Sequence, residues 1–258
     1  LGTDLEAVKK DSIEVEIFPN RPDMLSEEGF ARALSSFLGI KTGLKHYNVI
    51  KSGYNIIIDQ KSKKIIPFSA AAVVKNLNFT ETSLKSLMNL QEKLHTTHGR
   101  NRKRLATGAY DLSKIKFPLT LTAKPRSFKF HALGDSKEMT IDDILNKHPQ
   151  GKNYGHLVQE NAAVWMDCNG MVLSMPPVIN SEPTKVTEKT KDIFIEVTGN
   201  NKDAVEKALN IQLAALVDRG GKVCSVGQYL DLMPKRIKID IKNINNLLGL
   251  NLNNKDFS

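Results

Sequence analysis

The sequence predicts an α+β fold with mixed α/β layers, in which a mixed sheet packs against helices. Residues 13–17 alternate apolar and charged side chains, which is the period of a half-buried strand. Apolar residues between 26 and 39, and again between 203 and 218, recur instead at helical spacing. A run of small and β-branched residues at 69–74 indicates a buried strand. Strands that alternate with helices are typical of layered domains.

The first elements follow from their end signals. Turn residues at 19–23 end the strand at 13–17. Ser26 is the predicted N-cap of the next helix, because its hydroxyl can accept from a free backbone N–H, and Gly39 is the predicted end. The Lys-rich segment 41–66 contains short apolar runs, which predict a strand and a connector.

The central elements begin with the strand that starts at Phe68. A helix follows, which Thr80 or Thr82 caps and Gly99 stops. Four basic residues come directly after it: Arg100, Arg102, Lys103 and Arg104. Cations just past a helix C-terminus complement the helix dipole, and they suit nucleic-acid phosphates equally well. The sequence favours neither explanation.

The later elements include a hairpin and a second strand-helix pair. A short helix around 142–145 is expected to end by Pro149. The turn Cys168-Asn169-Gly170 separates two apolar runs, which is a strong hairpin signal, and Pro176 and Pro177 should end the second strand.

The final elements begin with a strand at 193–198. It precedes a helix over about 203–218. Alternation at 236–241 predicts another strand, and a helix is expected to begin at Ile244.

Composition describes a basic globular chain. Its 258 residues include 37 Lys plus Arg and 28 Asp plus Glu, giving a net charge of +9, which suits nucleic acid or serves solubility alone.

Cys168 and Cys224 are far apart in the sequence, so reduced cytoplasmic thiols are expected and a metal site is not. No apolar run has membrane-spanning length and no signal peptide is evident, so a cytoplasmic localisation without membrane association is expected. The missing initiator Met and the tail after residue 252 indicate a piece of a longer chain.

Common catalytic and cofactor motifs are absent, including GxSxG, GxxxxGK[ST], GxGxxG and HExxH. His95 and His98 are spaced i, i+3, but no third ligand is near in sequence, so capping or surface roles are favoured over metal binding.

Glu196 is unusual because it interrupts an apolar strand. Strand alternation places Phe194, Glu196 and Thr198 on one face. An exposed or salt-bridged Glu196 remains the favoured explanation from the pattern alone, and a pocket is the alternative.

Four stretches resemble the archaeal and eukaryotic phenylalanyl-tRNA synthetase beta subunit. They are Asn20 to Gly29 (NRPDMLSEEG), Leu90 to His95 (LQEKLH), Val172 to Asn180 (VLSMPPVIN) and Phe194 to Gly199 (FIEVTG). The resemblance implies that 1–66 ends an N-terminal domain and connector, 67–232 is the central editing domain, and 233–258 begins a further domain. It also implies an alpha-subunit partner in a heterotetramer of two alpha and two beta chains.

The same resemblance implies a function and a site. The alpha subunit would attach phenylalanine to tRNA(Phe), with ATP and magnesium for the whole enzyme and no cofactor in this fragment. The editing domain would hydrolyse mischarged tyrosyl-tRNA(Phe). The implied catalytic residues are Ser174, Glu196 and Thr198, with Glu196 accepting the tyrosine phenol. The implied substrate wall is Val164, Trp165 and Phe194, and Arg100, Arg102, Lys103 and Arg104 would bind tRNA.

Tyr110 departs from the family pattern. Gly108-Ala109-Tyr110-Asp111-Leu112 stands where the family more commonly has Gly-Ile-His-Asp-Leu. No histidine role is expected at this position. Two hypotheses stay open: an active editing hydrolase, and a non-catalytic scaffold that binds tRNA and the alpha subunit around an inert site. A stand-alone protein acting on free mischarged tRNA is less favoured, because the tail resembles the next domain.

Overall fold

The computed structural model describes residues 1–227 and 237–257. The strands within these residues are, in chain order, β1 Thr3–Val8, β2 Ile13–Ile17, β3 Val49–Ile50, β4 Ile56–Ile58, β5 Phe68–Lys75, β6 Leu105–Asp111, β7 Leu119–Pro125, β8 Lys129–Phe130, β9 Met139–Thr140, β10 Asn161–Met166, β11 Val172–Met175, β12 Ile179–Asn180, β13 Ile193–Gly199 and β14 Lys222–Ser225. The α-helices are α1 Glu27–Phe37, α2 Gln60–Ile65, α3 Glu81–Thr96, α4 Ile141–Lys147, α5 Pro149–Tyr154, α6 Lys202–Asp218 and α7 Ile241–Leu248.

Two five-stranded sheets organise the described chain. The β13 sheet has the order β3-β14-β5-β13-β6, and the β10 sheet has the order β12-β11-β10-β7-β4. Most neighbours are antiparallel, but β3 runs parallel to β14 and β4 runs parallel to β7. The α+β class with mixed sheets is therefore confirmed.

The β13 sheet buries both of its faces. On one face, Ile195 and Val197 pack against α6 through Leu209 and Leu213. On the other face, Phe194 belongs to a cluster that includes Trp165 and other residues of the β10 sheet. This sandwich explains why β13 is apolar on both sides, as a strand between two layers must be. It also directs Glu196 and Thr198 into the interior, where both side chains are buried.

Predicted helix starts are confirmed by their caps. Ser26 Oγ accepts from the backbone N–H of Gly29 at 3.1 Å at the start of α1. Thr80, and not Thr82, caps α3 through a reciprocal capping box with Ser83. Asn201 caps α6 by accepting from the backbone N–H of Ala204. The hairpin of β10 and β11 is also confirmed, and β11 ends at Met175 before the two prolines.

One predicted strand is wrong. Residues 237–240 are irregular, and Asp240 caps α7, which begins three residues earlier than expected. The Asp240 carboxylate accepts from the N–H of Lys242 and Asn243, so local capping decides this segment over the alternating pattern. Arg236, the first residue of the predicted strand, lies outside the described residues.

The segment at 41–66 contributes an edge strand to each central sheet, β3 and β4, followed by α2. Its assignment to a domain that ends at 66 stays a prediction.

Pro149, expected only to end a helix, starts α5, because proline is favoured in a first helical turn. Among the helices of the described residues, none has the length and hydropathy needed to cross a membrane.

Candidate functional site

Three side chains from three strands meet between the two sheets. The Tyr110 hydroxyl of β6 lies 2.7 Å from Ser174 Oγ of β11 and 3.0 Å from Glu196 Oε1 of β13. A phenol has one proton, so Tyr110 donates in one of these hydrogen bonds and accepts in the other. The structure thus brings Ser174 and Glu196 together through a residue that was not expected to take part.

The path of the Tyr110 ring depends on Gly108. Strand alternation places these two residues on the same face of β6, and the ring folds back over Gly108. A Cβ at position 108 would lie 2.0 Å from the Tyr110 hydroxyl oxygen and 3.0 Å from Glu196 Oε1. Only glycine leaves room for the phenol at this place.

The Glu196 carboxyl is almost entirely buried. Burial raises its pKa to about 8 from the ordinary 4.5, although Tyr110, Trp165 and Thr198 each act in the opposite direction. Glu196 is therefore mostly a neutral acid at pH 7. Burial, reinforced by the nearby Glu196, also raises the pKa of Tyr110 well above 10. The pair forms a neutral hydrogen-bonding unit.

Three buried polar atoms around Glu196 have no hydrogen-bond partner among the described residues: Glu196 Oε2, Trp165 Nε1 and Thr198 Oγ1. Trp165 and Thr198 are close enough to lower the pKa of Glu196, but neither makes a hydrogen bond of normal geometry with it. Buried polar groups without a hydrogen bond of normal geometry cost stability.

A cavity of about 510 Å³ lies between α3, β6 and the segment from β11 to β12. This volume is within the usual range for small-molecule sites. Tyr110, Ser174 and Glu196 line it together, and the polar residues Asn180 and Lys185 are also part of its lining. Of the predicted catalytic residues, Ser174 and Glu196 share this cavity.

Thr198, the third predicted catalytic residue, lines a different cavity of about 200 Å³. Lys103 and Arg104 also line this smaller cavity. The two cavities share a wall, which consists of Arg102, Ala106, Pro176 and Pro177. Thr198 therefore approaches the Glu196 carboxyl from the other side of that wall.

The predicted apolar wall stands behind the site. Trp165 and Phe194 pack edge to face at 6.2 Å, and Phe194 stacks on Tyr110 at 5.9 Å. Val164 points to the opposite face of β10, into another core cluster. None of the three side chains lines either of these two cavities. Phe194 supports the Tyr110 ring, and Trp165 packs against Phe194.

His95 has a positioning contact that its spacing in the sequence did not suggest. Its Nε2 accepts from the backbone N–H of Thr107 at 2.9 Å, and its Nδ1 lies 3.2 Å from Glu92 Oε2. Burial, with a contribution from Arg102, lowers the pKa of His95 to about 4, so the ring is neutral at pH 7. Both ring nitrogens are engaged, and His95 braces β6 against α3.

The basic segment divides into engaged and exposed residues. Arg102 donates to the carbonyls of Pro177 and Val178, donates to Glu92, and stacks on Tyr154. Arg104 donates to Asn201. Arg100 and Lys103 have exposed side chains. Residues 100–102 have φ of 51°, 52° and 63°, an unusual left-handed run for residues other than glycine. In this turn the Arg102 side chain is half-buried, whereas the side chains of Arg100 and Lys103 are exposed.

No group of three or more His, Cys, Asp or Glu side chains in the described part of the chain is arranged to hold a metal ion. Tyr110 and Thr107 are the site residues that the strand-face argument missed. For Tyr110 the sequence offered one indication, which is its departure from the family pattern in the stretch Gly108 to Leu112 (GAYDL). Nothing in the sequence indicated Thr107.

Comparisons with known proteins agree over almost the whole chain. A family model described as B3/4 domain matches residues 67–216. The chain is 42% identical to the phenylalanine–tRNA ligase beta subunit of Archaeoglobus fulgidus and 41% identical to that of Methanococcoides burtonii, in alignments that cover 98% of this chain and 48% of each relative. It spans about half the length of these relatives.

A solved structure is similar as well. An N-terminal fragment of the phenylalanyl-tRNA synthetase beta subunit from Pyrococcus horikoshii aligns with a TM-score of 0.91 and 39% identity. The match covers 98% of this chain and 78% of that fragment.

Proposed function

Because the chain belongs to the phenylalanyl-tRNA synthetase beta subunits and contains their B3/4 domain, we propose that its larger cavity hydrolyses mischarged tyrosyl-tRNA(Phe). The observation that carries this proposal is the hydrogen bond between buried Glu196 and a phenol, that of Tyr110. This contact supports the proposal, because a substrate tyrosine would present the same phenol to Glu196.

Recognition by Glu196 has a clear physical basis. A site that hydrogen-bonds a substrate hydroxyl discriminates strongly against an analogue that lacks it, because the buried polar groups are then left unpaired. A phenylalanyl group would leave the Glu196 carboxyl without that partner. Tyrosine would satisfy it, so correctly charged tRNA would be spared and mischarged tRNA bound.

The hydrolysis itself would depend on positioning. Aminoacyl esters are activated, so a water held near the ester carbonyl needs modest assistance. Ser174 and, from the neighbouring cavity, Thr198 offer hydroxyls that could orient water or the ester. His95 has both ring nitrogens engaged, so we assign it no proton transfer. Electrostatic stabilisation by fixed polar groups supplies the remainder.

Glu196→Ala in the assembled enzyme is expected to slow the deacylation of tyrosyl-tRNA(Phe) at least tenfold, because the phenol loses its partner. The rate is measured as release of labelled tyrosine from preformed tyrosyl-tRNA(Phe). Glu188→Ala, which removes an exposed carboxylate, is the matched control and should retain the wild-type rate. Equal rates for Glu196→Ala and wild type would exclude this role for Glu196.

For the whole enzyme we propose the partners implied by membership in the family. These are an alpha subunit that attaches phenylalanine to tRNA(Phe) with ATP and magnesium, and tRNA(Phe) itself. The heterotetramer of two alpha and two beta chains and the cytoplasmic localisation are part of the same proposal. The net charge of +9 supports a polyanionic partner.

The exposed cations are the proposed tRNA contacts. Replacing Arg100 and Lys103 together by alanine should weaken tRNA binding and reduce the slope of log affinity against log salt by about two, since each phosphate contact contributes about one. Lys222→Ala is the control, because Lys222 is exposed but lies far from the basic segment. It pairs with Lys75 at one end of the β13 sheet, whereas Leu105, which follows the basic segment, lies at the other end. An unchanged salt slope in the double variant would remove both residues from the interface.

One observation favours the second candidate function, a non-catalytic scaffold. Tyr110 already occupies Glu196 and Ser174, so the site could be inert while the domain still binds tRNA and the alpha subunit. Normal aminoacylation without any tyrosyl-tRNA(Phe) hydrolysis by the wild-type enzyme would support the scaffold. Robust hydrolysis would eliminate it.

A further inference from the structure

Tyr110 places a phenol from within the chain at the position that the proposed function gives to the substrate hydroxyl. We infer that Tyr110 is a resident phenol that sets the side-chain specificity of the larger cavity by competing with any incoming phenol for Glu196 and Ser174. This inference rests on the proposed function for the identity of the substrate, but not for the phenol site itself.

Tyr110 is held as a fixed occupant. Its side chain is 1% exposed. Its ring stacks on Phe194, which also contacts Trp165 and Phe117 edge to face. A ring packed on this aromatic cluster and seated over Gly108 leaves its place only when its neighbours move as well, so the phenol position is open in a minority of molecules.

The surroundings of the hydroxyl are polar in a way that a core tyrosine does not require. One partner would satisfy the phenol, yet Ser174 Oγ and Glu196 Oε1 both reach it. Trp165 and Thr198 lie close to the same carboxyl, although Glu196 Oε2, Trp165 Nε1 and Thr198 Oγ1 make no hydrogen bond of normal geometry. The Glu196 carboxyl, the Ser174 hydroxyl and the space over Gly108 together form a site that binds a phenol.

The consequence is a reduced apparent affinity for phenol-bearing aminoacyl groups. A ligand whose site is occupied most of the time binds with an affinity reduced by the fraction of molecules in which the site is open. Side chains that do not need Glu196 are not subject to this competition. Tyr110 therefore shifts the preference of the cavity away from tyrosyl groups, and removal of its ring should restore it.

The test uses p-cresol, the side chain of tyrosine, and toluene, the same shape without the hydroxyl. The 258-residue chain with Tyr110→Ala should bind p-cresol at least tenfold more tightly than toluene, measured as the rise in thermal midpoint with ligand concentration. The preference should disappear in Tyr110→Ala/Glu196→Leu, because a leucine side chain offers the phenol no hydrogen-bond partner. Wild type and Tyr110→Phe, in which the ring still fills the space, should bind both ligands at least tenfold more weakly than Tyr110→Ala does.

Two results would overturn the inference. Equal binding of toluene and p-cresol by Tyr110→Ala would show a plain apolar cavity, which binds small aromatic molecules without reading a hydroxyl. Absence of binding by a folded Tyr110→Ala would show that no site remains. If that variant is unfolded, Tyr110→Val, whose branched side chain suits a strand, carries the same measurement.

Deacylation separates this inference from the proposed function. If p-cresol binds Tyr110→Ala but the assembled Tyr110→Ala enzyme does not clear tyrosyl-tRNA(Phe), the phenol site stands and the editing function fails. If wild type and Tyr110→Ala clear tyrosyl-tRNA(Phe) equally and p-cresol does not bind, the editing function stands and the role of Tyr110 fails.

Discussion

Glu196→Gln is expected to make the protein more stable than wild type above pH 8, by on the order of 5 kcal/mol. Burial holds the pKa of Glu196 at about 8 in the folded chain against an ordinary value of 4.5, and each pKa unit corresponds to about 1.4 kcal/mol. Between these two pH values the folded state binds the proton and the unfolded state does not. The stability of the wild type must therefore fall as pH rises from about 4.5 to about 8.

The measurement is urea unfolding of both proteins at several pH values from 5 to 9. Glutamine keeps the shape but does not titrate, so the difference in free energy of unfolding isolates Glu196. His95 has the opposite effect, because its lowered pKa of about 4 makes stability rise with pH up to about 6.5. That contribution is common to both proteins and cancels in the difference. A difference that does not change with pH would show that Glu196 titrates near its ordinary pKa.

Gly108→Ala is expected to destabilise the fold by about 3 kcal/mol, at the upper end of the usual cost of overpacking a core. The added Cβ would lie 2.0 Å from the Tyr110 hydroxyl oxygen, inside the van der Waals contact distance. The ring is packed on Phe194 and cannot yield easily. The clash should displace the phenol and break its hydrogen bonds to Ser174 and Glu196.

A double-mutant cycle tests this explanation. Gly108→Ala should cost clearly less in a Tyr110→Ala background, because the colliding ring is gone and only the 3.0 Å approach to Glu196 Oε1 remains. Gly53→Ala is the control, since nothing lies within 4 Å of a Cβ there and its φ is not left-handed. If Gly108→Ala is equally destabilising with and without the Tyr110 ring, the collision is with some other group.

Both predictions concern the same few atoms, and they clarify how the two functional hypotheses differ. A buried neutral acid that holds a phenol is the chemistry needed to recognise tyrosine, and it is also the reason that a resident tyrosine can block recognition. Deacylation by wild type decides between editing and scaffold. The ligand-binding measurements decide whether Tyr110 sets the balance.

Local signals in the sequence determined most of the secondary structure. The hairpin with its Asn-Gly turn, the capped helices at Ser26 and Thr80, and the β13 strand are all encoded by residues a few positions apart. Strand period alone placed Phe194, Glu196 and Thr198 on one face. The failure at 237–240 has the same local origin, because a capping aspartate at 240 outweighed an alternating pattern.

Tertiary structure decided what that face contacts. Tyr110, Ser174 and Glu196 are separated by 64 and 22 positions in the chain, and only the pairing of β6 with β13 and the packing of β11 against them bring the three together. Burial between two sheets, which no local pattern reports, turned an expected surface carboxylate into a neutral acid. The sequence by itself determined the family and most of the secondary structure. The packing of distant strands determined, through desolvation and close contact, that Tyr110 occupies the position predicted for the substrate hydroxyl.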